Sequence, residues 1–255
     1  MAARRRNAAR IERKGCNGCA HRRDRDISMK ALIAGAAGQL GQCLVRTAST
    51  GIDVVALKRE QLDLADANSI SSALRRVQPD VVLNAAAYTA VDRAETESAL
   101  AMAINGTGVA QLTKECAAVN ARLIHVSTDY VFDGQSPRAY QPSDVAAPTN
   151  AYGASKLAGE SAIAAQPNLD WLIVRTAWVY SPVGKNFLLT MLRLMRERGE
   201  VAVVSDQIGT PTSALTLARY LWSAAQTPQA RGIVQFVDAG VASWYDFAVA
   251  IAEEA

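Results

Sequence analysis

The sequence predicts a doubly wound α/β fold: a parallel sheet covered by helices on both faces, with a smaller lobe at the C-terminal end. Three observations carry this. From Lys30 onwards, short apolar runs alternate with stretches of helical character. Those runs are continuously apolar, as strands buried on both faces must be. A glycine-rich turn, "GAAGQLG", stands between the first run and the first helix, where such sheets bind ligands beyond the C-terminal ends of their strands.

The elements follow in order. "KALIAG" (30–35) reads as the first strand and is followed by a helix over 39–49. "DVVALK" (53–58) is a second strand and "ANSISSALRRV" (67–77) a second helix. Pro79 bounds a third strand, "DVVLNAAA" (80–87), and a long helix covers 97–119. "RLIHVS" (122–127) is the next strand. Pro148 then precedes a helix over "NAYGASKLAGESAIAA", with Thr149 and Asn150 as candidate caps. "WLIVRTAWVY" (171–180) reads as one further strand.

Beyond Tyr180 the alternation weakens. "KNFLLTMLRLMRERG" (185–199) is amphipathic, with Leu188, Met191, Leu192 and Met195 on one stripe that reads as a packing seam. A loop over 205–214 runs into another helix, "GIVQFVD" (232–238) reads as a strand, and 243–255 as a helix. The chain therefore divides into a basic tail (1–28), a dinucleotide-binding part (29–177) and a substrate lobe (178–255) partly interleaved with the sheet. Ending inside a helix, it is expected to have its natural C-terminus beyond Ala255.

Charge narrows the function classes. Residues 1–28 hold nine Lys/Arg against Glu12, Asp24 and Asp26, which leaves 18 basic and 21 acidic residues in the other 227. A body of net −3 gives no nucleic-acid surface. The tail lacks the apolar core of a secretory signal, and no stretch approaches the roughly 18 apolar residues of a membrane helix. "CNGCAH" offers half a zinc pattern with no second pair nearby, so no metal site is assigned. Four scattered cysteines and no export signal point to the cytoplasm.

Gly35, Gly38 and Gly41 form G-x-x-G-x-x-G at a strand–turn–helix junction. Glycines there permit a tight turn and close backbone approach, while the helix N-terminus presents N–H groups to a pyrophosphate. A Rossmann-type dinucleotide site follows. At the end of the second strand, where NAD enzymes carry an acid for the ribose hydroxyls, stand Lys58 and Arg59. Cations accept a 2′-phosphate, so NADPH is favoured, with NADH kept open by Glu60. Asp63 and Leu64, in "LDLAD", fall where a loop approaches the adenine end.

Three further segments sit at strand ends: "NAAAYTAVD", "STDYVFDG" and "NAYGASKLAGE". With the glycine loop they resemble the extended short-chain dehydrogenase/reductase family. The resemblance implies a catalytic triad of Thr128, Tyr152 and Lys156, with Ser127 the neighbouring alternative to Thr128. Its chemical logic is general. A hydride reaching a carbonyl leaves an oxyanion that must be protonated, and a phenol with a pKa of ~10 is a slow partner near neutrality. A lysine ammonium one turn away is expected to lower the tyrosine pKa. It can also hydrogen-bond the nicotinamide ribose, while Thr128 donates to the oxyanion.

Together with "RTAWVY", "GKNF" and "DQIGTPT", these motifs look like those of the dTDP-4-dehydrorhamnose reductases over residues 29–255. That likeness implies Gly38, Gln39 and Leu40 along the pyrophosphate and Ala85, Ala86 and Ala87 along the cofactor. Thr128, Asp129 and Trp178 would face a dTDP-sugar, and a homodimer is implied by some relatives. Two alternatives stand beside this reading. One is a nucleotide-sugar dehydratase or epimerase, although Tyr130 follows Asp129 where dehydratases carry a second carboxylate. The other is a non-catalytic subunit of the kind that serves methionine adenosyltransferase.

Overall fold

The computed structural model describes residues 29–255; the readings of the basic tail and of "CNGCAH" lie outside the described residues. Six parallel strands form one sheet in the order β2-β1-β3-β4-β5-β9. They are β1 (Met29–Ala34), β2 (Ile52–Leu57), β3 (Val81–Asn84), β4 (Arg122–Thr128), β5 (Trp171–Thr176) and β9 (Gly232–Gln235). Leu32, Val82, Leu123 and Ile173, and on the opposite face Ala31, Leu83, Ile124 and Val174, are almost fully buried. Both faces are thus covered, which is why the strands read as unbroken apolar runs.

One face packs under α1 (Gln39–Thr47) and α8 (Ala214–Ala225), through Leu40, Leu44, Leu217, Leu221 and Trp222. The other lies under α2 (Ala67–Val77), α5 (Gly108–Ala118) and α6 (Ala151–Ala164), through Ile70, Leu74, Leu112 and Ile163. Caps fix where helices begin. The Asp66 carboxylate accepts from Asn68 N–H at 2.9 Å, and Asn150 Oδ1 from Gly153 N–H at 2.7 Å. Of the two candidate caps of α6, Asn150 is the one used.

Between Ala87 and β4 the chain forms α3 (Val91–Ala94) and α4 (Ser98–Met102). One π-helical turn (Ala103–Thr107) then joins α4 to α5, so the long helix expected over 97–119 is interrupted. The turn brings buried Asn105 against two elements. Its amide accepts from Tyr88 N–H (2.8 Å) and donates to Tyr88 C=O (2.9 Å) and Ser155 Oγ (3.0 Å). Asn105 thereby ties the loop after β3 to α6.

Two other expected elements are shorter. β3 stops at Asn84, whose Oδ1 accepts from Ala86 N–H at 3.1 Å and turns the chain out of the sheet. The run 171–180 breaks after Thr176. Trp178 takes a left-handed backbone (φ 46°), and β6 (Val179–Tyr180) continues in a separate ladder.

The lobe in front of the sheet holds α7 (Phe187–Arg198) and α9 (Trp244–Glu253). The 205–214 segment contains β7 (Ile208–Gly209) and β8 (Thr212–Ser213); β6 pairs with β8, and β10 (Ala242–Ser243) with β7. The stripe of α7 packs on Phe247, Ala248 and Ile251 of α9. Residues 178–255 also supply β9 and α8 to the sheet layer. Cys43 and Cys116 are buried free thiols. No helix among the described residues is long and apolar enough to cross a membrane.

Candidate active site

The strand order places β2 to one side of β1 and β3 to the other, so the crevice opens where β1 and β3 end. Gly35 turns the chain there at φ 80°, and a Cβ on it would lie 2.7 Å from Ala86 N. At Gly41 a Cβ would lie 2.2 Å from Gly35 O, so α1 and the turn touch backbone to backbone. Gly38 caps α1 without a side chain, which leaves the first helical amides for an anion.

A cleft of about 630 Å³ opens from this turn towards the lobe. It brings together Gly38, Gln39, Leu40, Ala85, Ala86, Ala87, Thr128, Asp129, Tyr152, Lys156 and Trp178 of the sequence-derived set. Gly35 and Gly41 lie beneath it. Lys58, Arg59, Asp63 and Leu64 do not line it. Exposed Arg59 pairs with Asp63 at 3.1 Å beyond β2, and the Leu64 side chain is buried in the core. Gln39 departs from its expected role. Its side chain donates to Val179 C=O (3.1 Å) and accepts from Asn186 Nδ2 (3.2 Å), so only its backbone remains for a pyrophosphate.

The cleft fits a dinucleotide with its polar ring end inward. Its floor is glycine and alanine, and Ser127 Oγ and Thr176 Oγ1, on adjacent strands, are buried in it without a hydrogen-bond partner. Such orphaned hydroxyls are costly unless a ligand satisfies them.

Tyr152 and Lys156 share the buried face of α6. The phenol packs edge-on against Tyr130 (centroids 5.6 Å apart). Burial raises its pKa well above the ordinary value; the Thr128 hydroxyl opposes this, and Asp129 and Tyr130 add to it. This corrects the expectation that Lys156 lowers the tyrosine pKa. Lys156 Nζ is held by Val126 C=O at 2.8 Å and His125 Nε2 at 3.1 Å, and burial brings its own pKa down to about 8. The phenol is therefore a held acid. Beside it, Thr128 Oγ1 donates to Asp129 Oδ1 at 3.0 Å, and desolvation raises the Asp129 pKa.

Several cleft residues escaped the sequence reading. Trp244, at the start of α9, stacks on Trp178 with centroids 3.5 Å apart and 9° between planes. Nothing in the sequence links two aromatics 66 positions apart. Lys185 lines the cleft from within "GKNF", a motif noted only for its resemblance. Asn84 and His125 were legible as polar residues inside apolar strands.

A dinucleotide crevice facing a buried tyrosine, a lysine one turn on and a threonine hydroxyl defines a nicotinamide-dependent oxidoreductase of the short-chain dehydrogenase/reductase type. More narrowly, the chain belongs to the family described as RmlD substrate binding domain, whose model matches residues 29–255. It is 44% identical to a dTDP-4-dehydrorhamnose reductase of Burkholderia thailandensis, over 88% of this chain and 77% of the relative. To that of Mycobacterium tuberculosis H37Rv it is 45% identical, over 89% and 76%. Among solved structures, the dTDP-4-dehydrorhamnose reductase of Bacillus anthracis in complex with NADP superposes with a TM-score of 0.86. It shares 36% identity, with 89% of this chain and 81% of that one covered.

Proposed function

We propose that this chain reduces the 4-keto group of dTDP-4-dehydro-L-rhamnose to give dTDP-L-rhamnose, with NADPH as reductant. The observation that carries the reading is a phenol kept protonated by burial, beside the Thr128 hydroxyl, in a cleft that begins at a dinucleotide turn. Identity of 44–45% to enzymes of that name supports the substrate.

When bound, the nicotinamide supplies a hydride to the carbonyl carbon. The residues of the chain do the rest. Thr128 and Tyr152 hydrogen-bond the carbonyl oxygen and polarise it. As negative charge builds there, Tyr152 delivers its proton, and the oxygen becomes the hydroxyl of the product, still bonded to its carbon. Desolvation favours the neutral phenol at the outset, which suits a proton donor. Lys156, one turn on along the same buried face of α6, supports the reprotonation of the resulting phenolate. Asp129, lacking a second carboxylate beside it, serves as a sugar contact, and Trp178 flanks the sugar. The amides of Gly38, Gln39 and Leu40 take the pyrophosphate, Ala85 to Ala87 give the cofactor close backbone passage, and Lys58 and Arg59 accept a 2′-phosphate at the outer end, near Asp63 and Leu64.

Residues 29–177 supply most of this cofactor wall, and 178–255 most of the sugar end. Two buried free thiols agree with a cytoplasmic compartment, and the acidic body with an absence of nucleic-acid partners. Sedimentation tests the homodimer. The activity is tested with dTDP-4-dehydro-6-deoxy-D-glucose and NADPH, with and without a 3,5-epimerase. Net NADPH oxidation that requires the epimerase is expected; cofactor recycling without net oxidation would sink the assignment.

A further inference from the structure

Behind the Tyr152–Lys156 face lies a buried chain of polar groups for which the reaction above has no role. Asn84 ends β3 and His125 lies directly beside it in the β3–β4 register. Asn84 is 1% exposed and His125 and Lys156 are 0% and 2% exposed. Ala86 N–H donates to Asn84 Oδ1 (3.1 Å), Asn84 Nδ2 meets His125 Nδ1 (2.9 Å), and His125 Nε2 meets Lys156 Nζ (3.1 Å). Lys156 Nζ then donates to Val126 C=O (2.8 Å).

The Ala86 end of this chain fixes the direction of the bonds that follow it. A backbone N–H only donates, so the Asn84 oxygen faces Ala86 and its NH₂ faces His125. His125 Nδ1 must therefore accept, and a neutral ring carries its single proton on Nε2. That Nε2–H points at Lys156, which can accept it only as an uncharged amine. An ammonium has three N–H groups and no lone pair, and would set two donors face to face. Relief requires the ring to move its proton to Nδ1 and Asn84 to rotate its oxygen towards the ring. Ala86 N–H, on the cleft wall, then loses its acceptor.

We propose that Asn84 and His125 are positioning residues that couple the charge of Lys156 to the backbone of the cofactor wall, through a histidine tautomer that must switch whenever the lysine gains or loses its proton. Burial and the neighbouring lysine hold the imidazole pKa well below its ordinary value, so the ring switches tautomer without becoming charged. Lys156, brought down to about 8, titrates where a reductase works. Other ionisable groups surround the pair. Glu160, on α6, draws Lys156 towards its charged form and is itself paired with Arg175 of β5 at 2.7 Å. Tyr152 and Asp129 stand at the cleft end, with their pKa values raised.

The inference rests on the reductase reading only for its catalytic consequence, because its test needs no substrate. The chain has two histidines, His21 and His125, so ring ¹⁵N spectra of the full chain are simple, and His21→Ala assigns them. Across pH 6.5 to 9.5 the His125 ring is expected to stay neutral while passing from the Nδ1–H to the Nε2–H form. The midpoint should coincide with that of Lys156, followed through its ¹³Cε signal and assigned by Lys156→Met.

In Lys156→Met the switch should vanish. In Asn84→Asp, whose carboxylate accepts from both Ala86 and the ring, the Nδ1–H form should persist throughout. The lysine midpoint and the alkaline limb of kcat should then both move up by one unit or more, a tenfold shift in proton affinity. A single His125 tautomer across the lysine titration, or a switch that survives Lys156→Met, would overturn the proposal. If the wild-type chain switches but does not reduce the keto-sugar, the relay stands and the reductase reading falls.

Discussion

Behind the cleft, β1, β3, β4 and β5 pair along four to six residues each and bury both faces. In front of it, the two ladders of the lobe pair along two residues each, and Ile208, Val241 and Tyr245 are exposed. The wall on the dinucleotide side is thus set by backbone, with Gly35 and Gly41 pressed against main-chain atoms. The opposite wall is set by aromatic side chains. Trp178 stacks on Trp244, and Phe187 packs against both Trp244 and Phe247. A backbone contact cannot yield without moving a strand, whereas a ring contact yields by rotation. The lesson is that one cleft can join a wall that fixes register to a wall that adapts.

Substitutions on either side can break that contrast. The largest effect belongs to the chemistry between them: Tyr152→Phe should lower kcat by about 10³-fold. NADPH affinity, read by fluorescence titration, should hardly change. Next comes the backbone wall. Gly41→Ala pushes a Cβ into Gly35 O and Ala36 Cα, and overpacking of this kind costs about 3 kcal/mol. Thermal unfolding should fall sharply, and cofactor affinity with it. If Gly41→Ala is tolerated, the wall is softer than its contacts indicate.

Lys156→Met probes the same half through pH. The folded pKa of Lys156 lies below the free lysine value, so the unfolded chain binds more protons between the two. Stability conferred by the neutral amine is present above the free value and is lost as pH falls towards 8. Lys156→Met should therefore raise the unfolding temperature at pH 7, with a gain that shrinks as pH climbs from 8 towards 10.5. A gain that stays flat across that window would mean that the ammonium is not penalised by burial.

Smaller effects follow at the exposed rim and in the lobe. Replacing both Lys58 and Arg59 with alanine should weaken NADPH about tenfold and leave NADH unchanged, since exposed ion pairs are worth about 1 kcal/mol each at most. Gly209→Ala should change least. Its Cβ would meet the Trp178 ring at 2.5 Å, and the ring can turn. KM should rise a few-fold with the unfolding temperature nearly constant; a loss of stability like that of Gly41→Ala would erase the distinction between the two sides.

The same contrast governs how much was legible in the sequence. The buried strands and the glycine turn were legible because both-face burial leaves uninterrupted apolar runs and close backbone approach demands glycine. The break at Trp178 was not, because an apolar run hides it and no glycine or proline marks the left-handed residue. β3 was read three residues too far at its C-terminal end because Ala85 to Ala87 are as apolar as a strand, while the side chain of Asn84 ends it. Tyr152, Lys156 and Thr128 were singled out through the family resemblance, since spacing alone says only that Tyr152 and Lys156 share a helix face. The direction of the tyrosine shift was not, because spacing on a helix says that two residues can meet and not where a long side chain goes. Lys156 goes to His125, a residue whose only signal was polarity within "RLIHV".

The π-helical turn at Ala103–Thr107 leads further. Relative to a regular α-helix such a turn carries one residue too many, and here that surplus aims Asn105 at both Tyr88 and Ser155. Removing a residue, ordinarily among the harshest edits a helix can suffer, should here heal the hydrogen-bond ladder from α4 into α5. The same deletion would remove the widened turn that aims Asn105 and unclamp the loop after β3. At this place helical regularity and function pull in opposite directions, and a shortened chain should be the better helix and the poorer enzyme.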